Sequence, residues 1–114
     1  MELHIKSSDT LDQLISALAD PTRRRIVEIL SDGQPRSVSQ ITQHFGMTRQ
    51  AVTKHLAVLN DGGLLICERE GRDRYNRLDP RGFDPLREWF RQYSRFWDDR
   101  LLALKQQVEQ ETRT

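Results

Sequence analysis

From Gly33 to Asn60 the chain contains no Asp or Glu, and within that stretch two sets of apolar residues flank Gly46. Val38, Ile41 and Phe45 recur at helical spacing before it; Val52, Leu56 and Leu59 do so after it. The pattern predicts two short amphipathic helices joined by a tight turn. Ser37 supplies an N-cap oxygen to the first helix and Thr48 to the second. Asn60-Asp61-Gly62-Gly63 ends the second, glycine being suited to the left-handed position just past a helix.

The flanking segments build outward from this pair. Leu11, Leu14, Ile15 and Leu18 predict a helix over roughly 9–19. Asp20-Pro21 restarts the chain, Asp as N-cap and Pro as first helical residue, for a second helix that turns Ile26, Val27, Ile29 and Leu30 inward and stops near Asp32-Gly33. Beyond Gly63, the runs Leu64-Leu65-Ile66-Cys67 and Tyr75-Asn76-Arg77-Leu78 flank Glu70-Gly71-Arg72-Asp73 and read as a hairpin. Asp84-Pro85 repeats the cap-and-proline device and opens a long helix. Its apolar residues Leu86, Phe90, Tyr93, Trp97, Leu101, Leu104 and Val108 form one stripe, which Trp89, Phe96 and Leu102 widen. The expected fold is mostly α with a small β-hairpin. It is one domain over 1–114, with a winged helix–turn–helix core over 11–80 and a C-terminal helix over 83–110 for dimerisation.

Leu, Ile, Val and Phe together make 29 of 114 residues, enough for a core but a thin one, which points to a partner subunit. No run approaches the ~18 apolar residues of a membrane span, and Met1-Glu2-Leu3-His4 lacks the apolar region of a signal peptide. One cysteine excludes an intrachain disulfide and fits a reducing cytoplasm. His4, His44 and His55 are scattered, with no Cys/His cluster, nucleophile–base pairing or phosphate loop, so an enzyme and a bound cofactor are not expected.

The net charge of +1 hides an uneven distribution. Residues 1–19 sum to −2, residues 20–81 to +3, and the remainder balances. Arg36, Arg49 and Lys54 are the only charges in the acid-free stretch, a local footprint for a polyanion. Thr48, Arg49, Gln50, Thr53 and Lys54 lie away from the Val52–Leu56–Leu59 face, in the first two turns, where a recognition helix meets base edges. Arg suits guanine, Gln suits adenine, and Thr meets a thymine methyl or a phosphate. The hairpin adds four positive and three negative charges, with Arg72 and Arg74 at or beside its tip, placed for a phosphate or a narrow minor groove.

The segments "ALADPTRRRIVEIL", "SVSQITQHFGMTRQAVTKHLAVLNDGGLL" and "EREGRDRYNRLD" resemble the ArsR-type family of winged-helix bacterial repressors over about residues 11–80. The resemblance implies a homodimer docked through its first and last helices that binds an operator. It implies DNA-reading roles for Thr48, Arg49, Gln50, Thr53 and Lys54, and wing roles for Arg72 and Arg74. Metal-sensing members carry Cys-x-Cys on the helix before the turn, where this chain has Ser37-Val38-Ser39-Gln40-Ile41-Thr42, or His and acidic ligands on the last helix. Residues 83–114 contain neither His nor Cys, so the likeness is to the metal-independent branch.

Dimerisation is expected of Leu86, Phe90, Tyr93, Trp97, Leu101 and Leu104, and the aromatic belt at 89–97 reads as dimer core rather than a ligand box. The expected partners are an inverted-repeat DNA operator and a second copy, with no membrane; no small-molecule effector can be named. Cys67, in an apolar run, reads as a small buried residue. His55 reads as packed and hydrogen-bonded, His44 as surface. Arg23, Arg24 and Arg25 read as a solvated or intersubunit face, with Arg23 within reach of a phosphate. The alternative is a winged-helix protein-interaction module, which acidic residues on the recognition face would favour; there are none.

Overall fold

The computed structural model describes the chain from Glu2 to Arg113, with side chains from Asp9 onward. His4 lies outside the described side chains. Five helices and three strands follow in the order α1 (Glu2–Leu18), α2 (Pro21–Ile29), β1 (Arg36–Ser37), α3 (Val38–Thr42), α4 (Arg49–Asp61), β2 (Leu65–Glu70), β3 (Asp73–Leu78) and α5 (Asp84–Arg113).

Local chemistry sets most of these boundaries. Asp20 caps α2 by accepting from the Arg23 amide at 3.1 Å, with Pro21 beginning the helix. Ser37 and Gln40 form a reciprocal capping box at α3. Thr48 accepts from the Ala51 amide at 3.1 Å and opens α4. Past α4, Gly63 takes the left-handed conformation at φ 82° and turns the chain into the hairpin. At the hairpin tip Gly71 has φ 65° while Arg72 does not leave the ordinary region, the pattern of a two-residue II′ turn.

Three features depart from the sequence expectation. The first helix begins at Glu2, seven residues ahead of the start its apolar spacing suggests. The second ends at Ile29, with Leu30 as C-cap, short of Asp32-Gly33. The sheet has three antiparallel strands in the order β1-β3-β2, because Arg36 and Ser37 pair with Asn76 and Tyr75. A two-residue strand has no periodicity of its own to reveal it.

The core draws on every element around α4: Leu14 and Ala17 of α1, Ile26 of α2, Ile41 of α3, Val52, Leu56 and Leu59 of α4, Leu65 of β2, with Leu30 and Leu64 from the connections. From the C-terminal end Phe83, just before α5, and Leu86, in its first turn, pack against it. The remainder of α5 extends beyond the core, which draws the molecule out to 68 × 40 × 21 Å. Nine large apolar side chains on α5, from Trp89 to Val108, are 43–62% exposed.

The triple-arginine run is solvated at Arg24 and Arg25, which are exposed, while Arg23 is half-buried, and all three side chains also make contacts within the chain. Arg23 donates to the Ala17 and Ser16 carbonyls at 2.7 and 3.1 Å, and Arg24 to Leu18 at 2.7 Å, so both close the C-terminal end of α1. Helix ends leave such carbonyls without intrahelical partners. The Arg25 guanidinium lies 5.8 Å from the centre of the Phe45 ring.

Candidate nucleic-acid interface

The outer surface of α4 carries Arg49, Gln50, Thr53 and Lys54 at successive helical positions, all exposed, with Thr48 exposed at its cap. The opposite side, through Val52, Leu56 and Leu59, is anchored in the core. Among the described residues Arg49, Gln50 and Lys54 make no hydrogen bond or ion pair through their side chains, so their donors face solvent. The two threonines differ from them. The Thr48 hydroxyl serves the Ala51 amide, and the Thr53 hydroxyl donates to the Arg49 carbonyl at 2.9 Å. Back-bonding turns the Thr53 hydroxyl toward its own helix, and a thymine methyl suits its remaining methyl group better than a phosphate does.

Electrostatics sharpen the picture. The basic stretch is less basic than its composition, because Arg36 grips Asp32 through two contacts of 2.6 and 2.8 Å and also donates to the Ile29 carbonyl at 3.1 Å. The Arg36 guanidinium, with the Gln34 amide behind it, holds the Asp32 carboxyl well below the usual carboxylate range. Asp32 stands just outside the acid-free window, which is why the sequence alone overstates Arg36. The positive field near α4 therefore comes from Arg49 and Lys54 and from the hairpin.

On the hairpin, Arg72 occupies the tip and Arg74 lies in β3, opposite Arg69 of β2. Both Arg72 and Arg74 are exposed. Arg69 was not singled out from the sequence, although the alternation Glu68-Arg69-Glu70 would have placed it on the face opposite its acidic neighbours. Cys67 is exposed, which corrects its reading as a buried residue: burial along β2 falls away after Leu65 as the hairpin rises from the core. Its Sγ donates to Asn76 Oδ1 at 3.1 Å and lies 4.0 Å from Asn60 Oδ1. His55 is half-buried beside Arg23 and Asp20, as a packed residue would be, and His44 is exposed.

The α5 stripe is where the structure separates the expected dimerisation residues. Phe90, Tyr93, Trp97, Leu101 and Leu104 are all exposed, whereas Leu86 packs on the chain's own core. Trp89 lies against both Phe90 and Tyr93, at ring-centre distances of 5.8 and 4.9 Å, so the belt is ordered by its own aromatic contacts. No described helix is long and apolar enough to cross a membrane.

Known proteins share this arrangement. A family model described as a helix-turn-helix domain matches residues 18–68. The HTH-type transcriptional regulator Rv2034 of Mycobacterium tuberculosis is 39% identical over 101 residues, which span 88% of this chain and 90% of that protein. The crystal structure of the ArsR family transcriptional regulator RHA00566 is similar at a TM-score of 0.72 and 31% identity, over 80% of this chain and 93% of that one. A solution structure from Mycobacterium bovis, described as a homodimeric winged helix-turn-helix DNA-binding domain of a possible ArsR-family regulator, covers 89% of this chain and 90% of its own at a TM-score of 0.64 and 26% identity. With its capped helix pair, its hairpin and these relatives, the chain belongs to the ArsR family of winged helix–turn–helix transcriptional regulators, a DNA-binding and non-enzymatic class.

Proposed function

We propose that this regulator is a cytoplasmic homodimeric repressor that reads an inverted-repeat operator and does not respond to metal ions. The observation that carries the reading is the outer face of α4, where Arg49, Gln50 and Lys54 present donors to solvent with no carboxylate among them. Arg49 and Gln50 suit bidentate contacts to base edges, Thr48 and Thr53 frame them, and Lys54, Arg72 and Arg74 suit phosphates or groove shape. The whole chain acts as one unit, with 11–80 as the winged core and 83–110 as the dimerisation helix. The exposed stripe on α5 supports a second copy as its cover, through Phe90, Tyr93, Trp97, Leu101 and Leu104, with Leu86 at its inner end. Two copies related by a two-fold axis present two recognition helices, hence half-sites about one helical turn, or a multiple, apart. Independence from metal is supported by the donor set: among the described residues no three His, Cys, Asp or Glu side chains are grouped to hold an ion.

Selection of bound sequences from a random DNA pool tests the reading. Enrichment of an inverted repeat is the expected result, unchanged when zinc, arsenite or a chelator is added. A pool that shows no enrichment would favour a protein-interaction module instead, and a tenfold change of affinity with stoichiometric zinc would reveal a metal site.

A further inference from the structure

The charges of the hairpin look mixed along the sequence but are sorted by its pleat. Side chains alternate across a strand, and the register pairs Cys67 with Asn76, Arg69 with Arg74, Glu68 with Tyr75 and Glu70 with Asp73. Arg69 and Arg74 therefore share the face of Cys67 and Asn76. Glu68, Glu70, Asp73 and Arg77 share the other, where Arg77 donates to Glu68 at 3.0 Å. The acids all lie on one side, and two unneutralised guanidiniums stand opposite each other on the other.

That second side is the one turned toward α4. Cys67 of this face stands 4.0 Å from Asn60 of α4, and a groove of about 550 Å³ runs between the two elements. Thr53, Ala57 and Asn60 line it from the helix; Arg69, Arg74 and Asn76 line it from the hairpin. Glu68 borders it too, with its carboxylate engaged by Arg77. Like charges directly opposite each other weaken a strand pair, and neither Arg69 nor Arg74 has an ion-pair partner among the described residues. An anion in the groove would relieve the repulsion.

We infer that Arg69 and Arg74 form a clamp for a phosphate of the DNA strand that passes between α4 and the hairpin. The inference rests on the reading of α4 as the major-groove helix. A sugar–phosphate strand is the ridge that separates a major groove from its neighbouring minor groove. A helix in one and a hairpin tip directed at the other straddle that ridge, and the groove between them receives it. Two guanidiniums from adjacent strands offer a phosphate several charge-assisted hydrogen bonds from two sides. Arg74 then acts with Arg69 inside the groove, and Arg72 alone remains at the tip.

The test titrates wild-type protein, Arg69→Ala, Arg74→Ala and the double variant against a random-sequence duplex and the selected operator over a series of KCl concentrations. Arg113→Ala, in the last turn of α5, controls for net charge. Each single variant is expected to weaken both duplexes severalfold by a common factor, and the double variant, which loses the one phosphate contact altogether, to flatten the salt slope by about 0.9 per protomer, each single variant by no more than that. Unfolding of the free protein should be no easier in Arg69→Ala than in wild type; should that variant lose stability, Arg69→Gln repeats the test. A double variant with wild-type affinity and slope overturns the clamp and leaves the reading of α4 standing. Loss confined to the operator with an unchanged slope also overturns it, because the arginines would then be reading bases. A wild type that binds neither duplex at low salt overturns the clamp and the DNA reading together.

Discussion

The Arg23 guanidinium, carried by α2, stands 3.4 Å from Nδ1 of His55 on α4 while its other nitrogens hold the last carbonyls of α1. Asp20 completes the junction, with its carboxylate 3.9 Å from the same imidazole nitrogen. The Arg23 amide is the largest cause of the lowered Asp20 pKa, ahead of the charges of Arg23 and His55. One side chain thus links the end of the first helix to α4. Its Nε and one Nη each already serve a carbonyl at the end of α1.

Replacing Arg23 with Ala should therefore destabilise the fold rather than weaken DNA contact directly. Two charge-assisted bonds are lost, one part-buried to the Ala17 carbonyl and one exposed to that of Ser16, an expected cost of about 1–3 kcal/mol. Urea unfolding reads the change. Arg23→Lys should recover only part of it, because an ammonium cannot span both carbonyls as the planar fork does. Full stability in Arg23→Ala would show that water caps α1 equally well.

Asp32 sets a dependence on pH. A carboxyl whose folded pKa is depressed adds stability that is complete above its unfolded value, near 4, and is lost as pH falls through the folded one. The Arg36 guanidinium is the main cause of the depression. Asp32→Asn should be less stable than wild type at neutral pH, and the gap should close progressively below about pH 4. Urea midpoints measured across that range check it; a gap that persists into strong acid contradicts the ion pair as its source.

Phe90 and Trp97 are 56% and 58% exposed, and neither belongs to the core of its own chain. The double variant Phe90→Ala/Trp97→Ala should then fold as a monomer. Removing two large aromatic side chains from a covered face costs several kcal/mol of association at about 25 cal/mol per Å². Sedimentation and circular dichroism together decide: a folded dimer at micromolar concentration would mean that α5 is not the seam.

Arg49→Ala and Gln50→Ala should each cost about 1–3 kcal/mol on the selected operator and much less on a scrambled duplex. Thr48→Ala should behave differently, with loss of the Ala51 cap lowering stability by ~1 kcal/mol. Parallel titration and unfolding separate the two. If Arg49→Ala and Gln50→Ala keep the full operator preference, α4 does not read sequence in this protein.

How much of this was legible in the chain follows from how local each determinant is. The capping oxygens of Asp20, Ser37 and Thr48 act on amides three residues away, so a few consecutive letters disclose them. The inward stripe of α4 is a period, and periods survive in sequence. The Arg36–Ser37 strand exists only because β3 lies beside it. The work of Arg23 depends on where α1 happens to end. Cys67 misled because its apolar neighbours continue past the point where the hairpin leaves the core. Arg69 was within reach, but the composition of the hairpin averages over two faces that the pleat keeps apart.

The exposed stripe of α5 also has a pitch. Leu86, Trp97 and Val108 are spaced by eleven residues, as are Phe90 and Leu101, and Tyr93 and Leu104. An eleven-residue repeat corresponds to about 3.67 residues per turn, slightly more than the helix's own 3.6, whereas a heptad falls below it at 3.5. The stripe therefore drifts little around the helix along its length. Another helix laid on it would stay in contact from Phe90 to Val108 while running nearly straight, with at most a slight right-handed coil and none of the left-handed winding of a leucine zipper.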